Sequence, residues 1–271
     1  MQALFSGPYP VSDEKVAFFR ENGYVQFDDV LSMDEVEYLR GGLAKAVQER
    51  KTLARDLAGA TPTGEKEKIL QMLNLWELYP EVKAYVFGER VAGIAQRLSG
   101  SSSLRLYHDQ ALVKEPGPSA PSPWHQDQPY WPSKEGGMFS CWMALDDVTI
   151  ERGCMQFIAG SHRWGEFEPI SFGPDGKALF DLLSAEQRAL WKPVPVEMKA
   201  GSCTFHHGLT FHYANANTTQ QTRRAFVTIY IPEGITYAAD EKMGNPFDGT
   251  ITSRKGEPLR GTRFPVLIGD E

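Results

Sequence analysis

Trp124-His125-Gln126-Asp127 sets the direction for the whole chain. In a strand, residues i and i+2 project from one face. His125 and Asp127 would then stand an imidazole beside a carboxylate. A facial 2-His-1-carboxylate site needs one more histidine and leaves open positions on a non-haem Fe(II). His-x-Asp alone is also common on surface strands, so it gains meaning only with a third ligand from a distant strand. Gly201-Ser-Cys-Thr-Phe-His206-His207-Gly-Leu-Thr-Phe-His212-Tyr-Ala-Asn offers His206, His207 and His212. Periodicity does not choose among them. All six histidines lie between positions 108 and 212.

Strand composition surrounds these segments, at 104–113, 139–148, 153–158, 201–205 and 225–231. Residues 114–123 hold Pro116, Pro118, Pro121 and Pro123 and read as a loop. Residues 182–191 read as a helical insertion, and 233–271 as loops wrapping the core. The N-terminal part reads as helical. Ser32 and Glu35 make a capping box, and Val36, Leu39, Leu43 and Val47 follow at helical spacing. Val16 and Phe19 predict a shorter helix ending near Gly23, then a strand at 24–27. Residues 66–99 read as two helical pieces interrupted near Pro80, the second ending at Gly100. Helices first and strands later predict a mainly β, α+β chain on an antiparallel core, and eight short strands in a jelly roll fit the length. The expected organisation is one domain over 1–271, with a helical part at about 12–100, a β core at about 104–232 and C-terminal loops at 233–271.

The 271 residues are 41% hydrophobic and 23% charged, which excludes a disordered or fibrous chain. A net charge of −7 gives no reason to expect nucleic acid or an anionic membrane as partner. Cys141, Cys154 and Cys203 read as free thiols of a reducing compartment. No signal peptide or spanning run is visible, so a cytoplasmic location is expected. Arg223 and Arg224 open the 225–231 strand. A guanidinium fork matches a carboxylate. Neighbours in a strand face opposite sides, so one arginine points inward and the other reads as a solvated strand end.

His125-Gln126-Asp127, Gly153-Cys154-Met155, Gly160-Ser161-His162, His207-Gly208, His212 and Arg223 together resemble the phytanoyl-CoA dioxygenase family. Phe18-Phe19 and Asn22-Gly23-Tyr24-Val25 are similar to that family's opening helix and strand. The resemblance spans roughly residues 14–232 and implies a double-stranded β-helix (cupin-like jelly roll) with N-terminal helices packed on it. It implies an Fe(II)- and 2-oxoglutarate-dependent dioxygenase that hydroxylates an unactivated C–H of a small organic substrate. O2 is consumed, succinate and CO2 are released, and ascorbate serves as reductant. The family's distal metal histidine stands eleven residues before its 2-oxoglutarate arginine, as His212 does before Arg223. The resemblance thus implies His125, Asp127 and His212 as metal ligands and Arg223 as the cosubstrate clamp. It implies Trp142, Gln110 and Gln71 as cosubstrate contacts, Gln71 reaching in from the N-terminal helices. His207 and His162 match scaffold positions. Ala214 stands where some relatives carry a hydroxyl. Asp127 disfavours a halogenase. Tyr130, Trp131 and Phe139 are candidate pocket residues. Competing readings are a divalent-metal hydrolase, a cupin-like enzyme without cosubstrate, and a noncatalytic ligand-binding jelly roll.

Overall fold

A computed structural model describes residues 4–50, 55–56, 69–117, 119–133, 135–168, 176–238 and 250–270. α1 (Asp13–Asn22) starts at Ser12, whose side chain accepts from the Lys15 amide, and stops at Gly23 with φ 77°. A Cβ on Gly23 would lie 2.4 Å from Thr210 Oγ1 and 2.5 Å from His162 Nδ1. Turn and crowding both demand glycine there. β1 (Tyr24–Phe27) follows. α2 (Met33–Arg50) opens on the expected box: Glu35 N donates to Ser32 Oγ at 3.3 Å and Ser32 N to Glu35 Oε2 at 2.9 Å. Val36, Leu39 and Leu43 are fully buried.

The next stretch departs from the helical expectation. β2 (Arg55–Asp56) and β3 (Ile69–Leu73) are strands. Five residues, Ile-Leu-Gln-Met-Leu, are too few to separate helix from strand by period, and their backbone pairs with a long neighbour. Residues 66–68 lie outside the described residues. Pro80 does not interrupt a helix; it opens α3 (Pro80–Val86), where its missing N–H costs nothing. α4 (Glu89–Ser99) ends at Gly100.

Then come β4 (Leu104–Lys114), β5 (Ser122–His125), β6 (Phe139–Ala144) and β7 (Met155–Ile158). The insertion is two helices, α5 (Gly176–Leu182) and α6 (Ala185–Leu190), because Ser184 forms its own capping box with Gln187. β8 (Pro193–Val196), β9 (Cys203–His207), β10 (His212–Ala214) and β11 (Arg223–Pro232) follow. β12 (Val266–Ile268) adds to β4, so the C-terminal segment is not wholly loop.

The large sheet runs β1-β9-β6-β11-β4-β3-β2, and the small one β5-β10-β7-β8, all antiparallel. Thr204, Trp142, Val227 and Gln110 lie in one register row, and His206, Ser140, Ile229 and His108 in another. These rows share a face. Trp142, Val227 and Ile229 pack from it onto Met155, Phe157 and Ala214 of the small sheet. The opposite face carries Phe205, Cys141, Met143 and Phe226, covered by Val16, Phe19, Leu39, Leu43, Tyr85 and Ile94 of the helices. Helices therefore back the large sheet while the small sheet closes its front, giving the expected double-stranded β-helix. The three cysteines are free and buried. Among the described residues, no helix is long and apolar enough to cross a membrane.

Candidate metal centre

His125 ends β5, His212 begins β10, and the two are direct ladder partners with ring centroids 4.1 Å apart. Asp127 is not on the strand. It sits past the end of β5 with φ −79° and ψ −36°, at the start of a 3-10 turn. The i, i+2 argument therefore reaches the right neighbours by the wrong geometry. The chain turns after His125, and the amides of Asp127 and Gln128 both donate to Gly208 O at 2.9 Å. A Cβ on Gly208 would lie 2.4 Å from Trp131 Cζ3, so glycine permits this approach. Asp127 Oδ1 lies 3.5 Å from His125 Nε2 and 3.6 Å from His212 Nε2. One donor atom from each of the three residues lies within 4.8 Å of the others.

Backbone carbonyls fix the histidine tautomers. His125 Nδ1 is 2.7 Å from Pro123 O, and His212 Nδ1 is 2.9 Å from Thr210 O. A carbonyl only accepts, so each Nδ1 carries the proton and each Nε2 offers a lone pair to the centre. Burial and the charge of His125 hold His212 well below the ordinary imidazole value. Burial pushes Asp127 up, yet His212, His125 and His206 outweigh it and keep its carboxyl well below the usual carboxylate range. Two imidazoles that present Nε2 and one ionised carboxylate form the donor set of a divalent ion, and they suit Fe(II).

Arg223 is 1% exposed and faces inward. Its Nη1 donates to Leu112 O at 3.2 Å, its guanidinium lies 5.5 Å from the Trp142 ring, and its Nε has no partner. Burial pushes its pKa down to about 10. Lys114, its ladder partner, is fully buried and donates to Ala214 O at 3.3 Å and Asn215 O at 2.5 Å. A buried guanidinium with an unmatched N–H fits an organic carboxylate. Gln71 Nε2 donates to Gln110 Oε1 on the same sheet. Gln71 therefore belongs to β3, not to the N-terminal helices. Thr204 Oγ1, in the Trp142 row, also has no partner.

Arg224 is not a solvated strand end. Its Nε and Nη2 donate to Asp146 Oδ2 and Oδ1 at 2.9 and 2.7 Å. Phe139 packs against Phe19 and Tyr230 on the helix side, away from the metal centre. Trp131 is buried on the centre's side, and Tyr130 is partly buried. His162 and His207 neighbour each other with centroids 5.5 Å apart, outside the donor group. Sequence reasoning missed Lys114 and Ser140. The alternation Gln110, Leu112, Lys114 does put a lysine on the inward face, which was the available signal.

A family model described as phytanoyl-CoA dioxygenase (PhyH) matches residues 19–225. The crystal structure of the non-heme alpha ketoglutarate dependent carbocyclase SnoK from nogalamycin biosynthesis is 31% identical, covers 96% of this chain and 99% of its own, and superposes with a TM-score of 0.80. The epimerase SnoN, solved with Fe3+, alpha ketoglutarate and nogalamycin RO, is 28% identical, with 94% and 98% covered and a TM-score of 0.73. Phytanoyl-CoA dioxygenase domain-containing protein 1 of Danio rerio is 24% identical over 285 residues, covering 85% of this chain and 96% of its own. With its β-helix fold and its His-Asp-His donor group, the chain belongs to the phytanoyl-CoA dioxygenase family and is a 2-oxoglutarate-dependent non-haem iron oxygenase.

Proposed function

We propose that His125, Asp127 and His212 bind one Fe(II), that Arg223 takes the distal carboxylate of 2-oxoglutarate, and that the chain, as one domain, hydroxylates an unactivated C–H of a small molecule. The observation that supports this most is that the donor group of the small sheet meets the inner face of the large sheet through Ser140 and His206, while the large sheet also carries a buried arginine with an unmatched N–H. When bound, iron with 2-oxoglutarate and O2 supplies an oxidant that removes a hydrogen atom from such a bond, leaving succinate and CO2.

The protein's own part is placement. The two histidines and Asp127 leave the remaining coordination positions open. Arg223 fixes the far end of the cosubstrate, Lys114 holds the Ala214 and Asn215 carbonyls beside it, and Trp142 walls the guanidinium off from water. Gln71 and Gln110 offer amide groups along the cosubstrate's path. A hydrolase would leave Arg223 without a task. The net charge of −7 favours a small metabolite or natural-product intermediate over an acyl-CoA.

The likeness to a carbocyclase and an epimerase favours a second outcome from the same hydrogen abstraction: ring closure, or return of hydrogen to the other face. Succinate release across a substrate panel tests the reading, with product mass separating the outcomes. A gained oxygen means hydroxylation, two lost hydrogens ring closure, and unchanged mass epimerisation. No substrate-stimulated succinate would contradict all three.

A further inference from the structure

The two oxygens of Asp127 have different surroundings. Oδ1 faces His125 and His212. Oδ2 accepts from Ser140 Oγ at 3.0 Å and lies 3.3 Å from His206 Nε2. A carboxylate only accepts, so His206 carries its proton on Nε2 and donates. Ser140 and His206 are direct ladder partners on β6 and β9, so one row of the large sheet presents both donors. His206 is 2% exposed and Ser140 fully buried. The His206 ring is boxed in by His212 at 4.5 Å and Phe157 at 5.5 Å, centroid to centroid. His206 itself lies outside the donor group.

We propose that His206, with Ser140, ties down Asp127 Oδ2 so that the carboxylate offers the iron Oδ1 alone. This makes His206 a positioning residue, and it rests on the iron reading above. A carboxylate free to chelate would take a second position on the metal, one that 2-oxoglutarate or O2 needs. The backbone of Asp127 is already fixed by Gly208, so the side-chain rotation that Oδ2 controls is the freedom left to restrain.

Three variants test this: His206→Leu removes the donor, His206→Gln returns an amide N–H near the position of Nε2, and Ser140→Ala removes the companion. The readouts are Fe(II) and Co(II) affinity by chelator competition, the ligand-field spectrum of the Co(II) form, and melting of the metal-free protein. His206→Leu should weaken metal binding about 10–100-fold, as loss of a ligand's hydrogen-bond partner does, and change the Co(II) bands. His206→Gln should recover most of the affinity and the wild-type spectrum. Ser140→Ala should shift the Co(II) bands in the same direction, which keeps the test open if His206→Leu does not fold. Wild-type affinity and spectrum in both donor-deleted variants would overturn the proposal. So would a loss at His206→Leu as complete as that of His125→Ala, which would make His206 a ligand. A wild-type protein that takes up neither metal would overturn the iron reading, and this proposal with it.

Discussion

Arg223 and Arg224 are adjacent in the chain and opposite in consequence. Arg223 is buried with an unmatched N–H, whereas Arg224 is locked onto Asp146. Truncating Arg223 would strand a carboxylate in a poorly solvated site, a loss of about 3–5 kcal/mol, on the order of a hundred- to several-thousand-fold in 2-oxoglutarate affinity. Arg223→Lys should recover only part, lacking the planar fork. Arg224→Ala should leave that affinity unchanged but cost about 1.5–3 kcal/mol of stability, the range for hydrogen bonds to charge. Binding titrations and denaturant melts of the three variants check this; a large affinity loss at Arg224 would reverse the assignment. Periodicity left His206, His207 and His212 equal, and only the family resemblance singled out His212 and Arg223, whose separation of eleven residues it matches. The place of Asp127 off the strand, and the donors behind it, were not legible, because they depend on a turn and on strands remote in sequence.

The β9–β10 segment packs three histidines into seven residues, and each does something different. His207 accepts from the Leu209 amide through Nδ1 at 3.1 Å, and burial lowers its pKa to about 4. Its folded value lies below the unfolded value of about 6.5. The folded state thus refuses a proton that the unfolded chain accepts. Stability is intact above pH 6.5 and is lost as pH falls toward 4, by roughly 3 kcal/mol over the whole window. Melts of the metal-free protein across that range should show the loss, and His207→Asn, which keeps an acceptor for Leu209, should reduce it by that share, leaving the limb that His108 and His212, also lowered by burial, contribute. An unchanged acid limb would contradict the account. Other elements were read unevenly. α2 announced itself through its capping box and apolar stripe, whereas β3 was hidden because five residues are too few to show a period.

Across the whole molecule, the large sheet divides the labour. Its outer face is apolar and packs on the helices, while its inner face interleaves apolar residues with His206, Ser140, Thr204, Gln110, Lys114 and Arg223. Polar groups on the inner strands cost stability unless matched, so ligands should return that cost. Fe(II) with 2-oxoglutarate at about 100 times its dissociation constant should stabilise the fold by about 2.7 kcal/mol, raising the melting temperature by several degrees. In Arg223→Ala the 2-oxoglutarate part of that rise should vanish. The most direct test of the central claim is an anaerobic titration of the Fe(II)-loaded protein with 2-oxoglutarate, following the visible charge-transfer band of the chelate. The account predicts a band saturating at one 2-oxoglutarate per iron, lost in His212→Ala and kept in His207→Ala. No band in the wild-type protein, or a band that survives His212→Ala and disappears in His207→Ala, would contradict it.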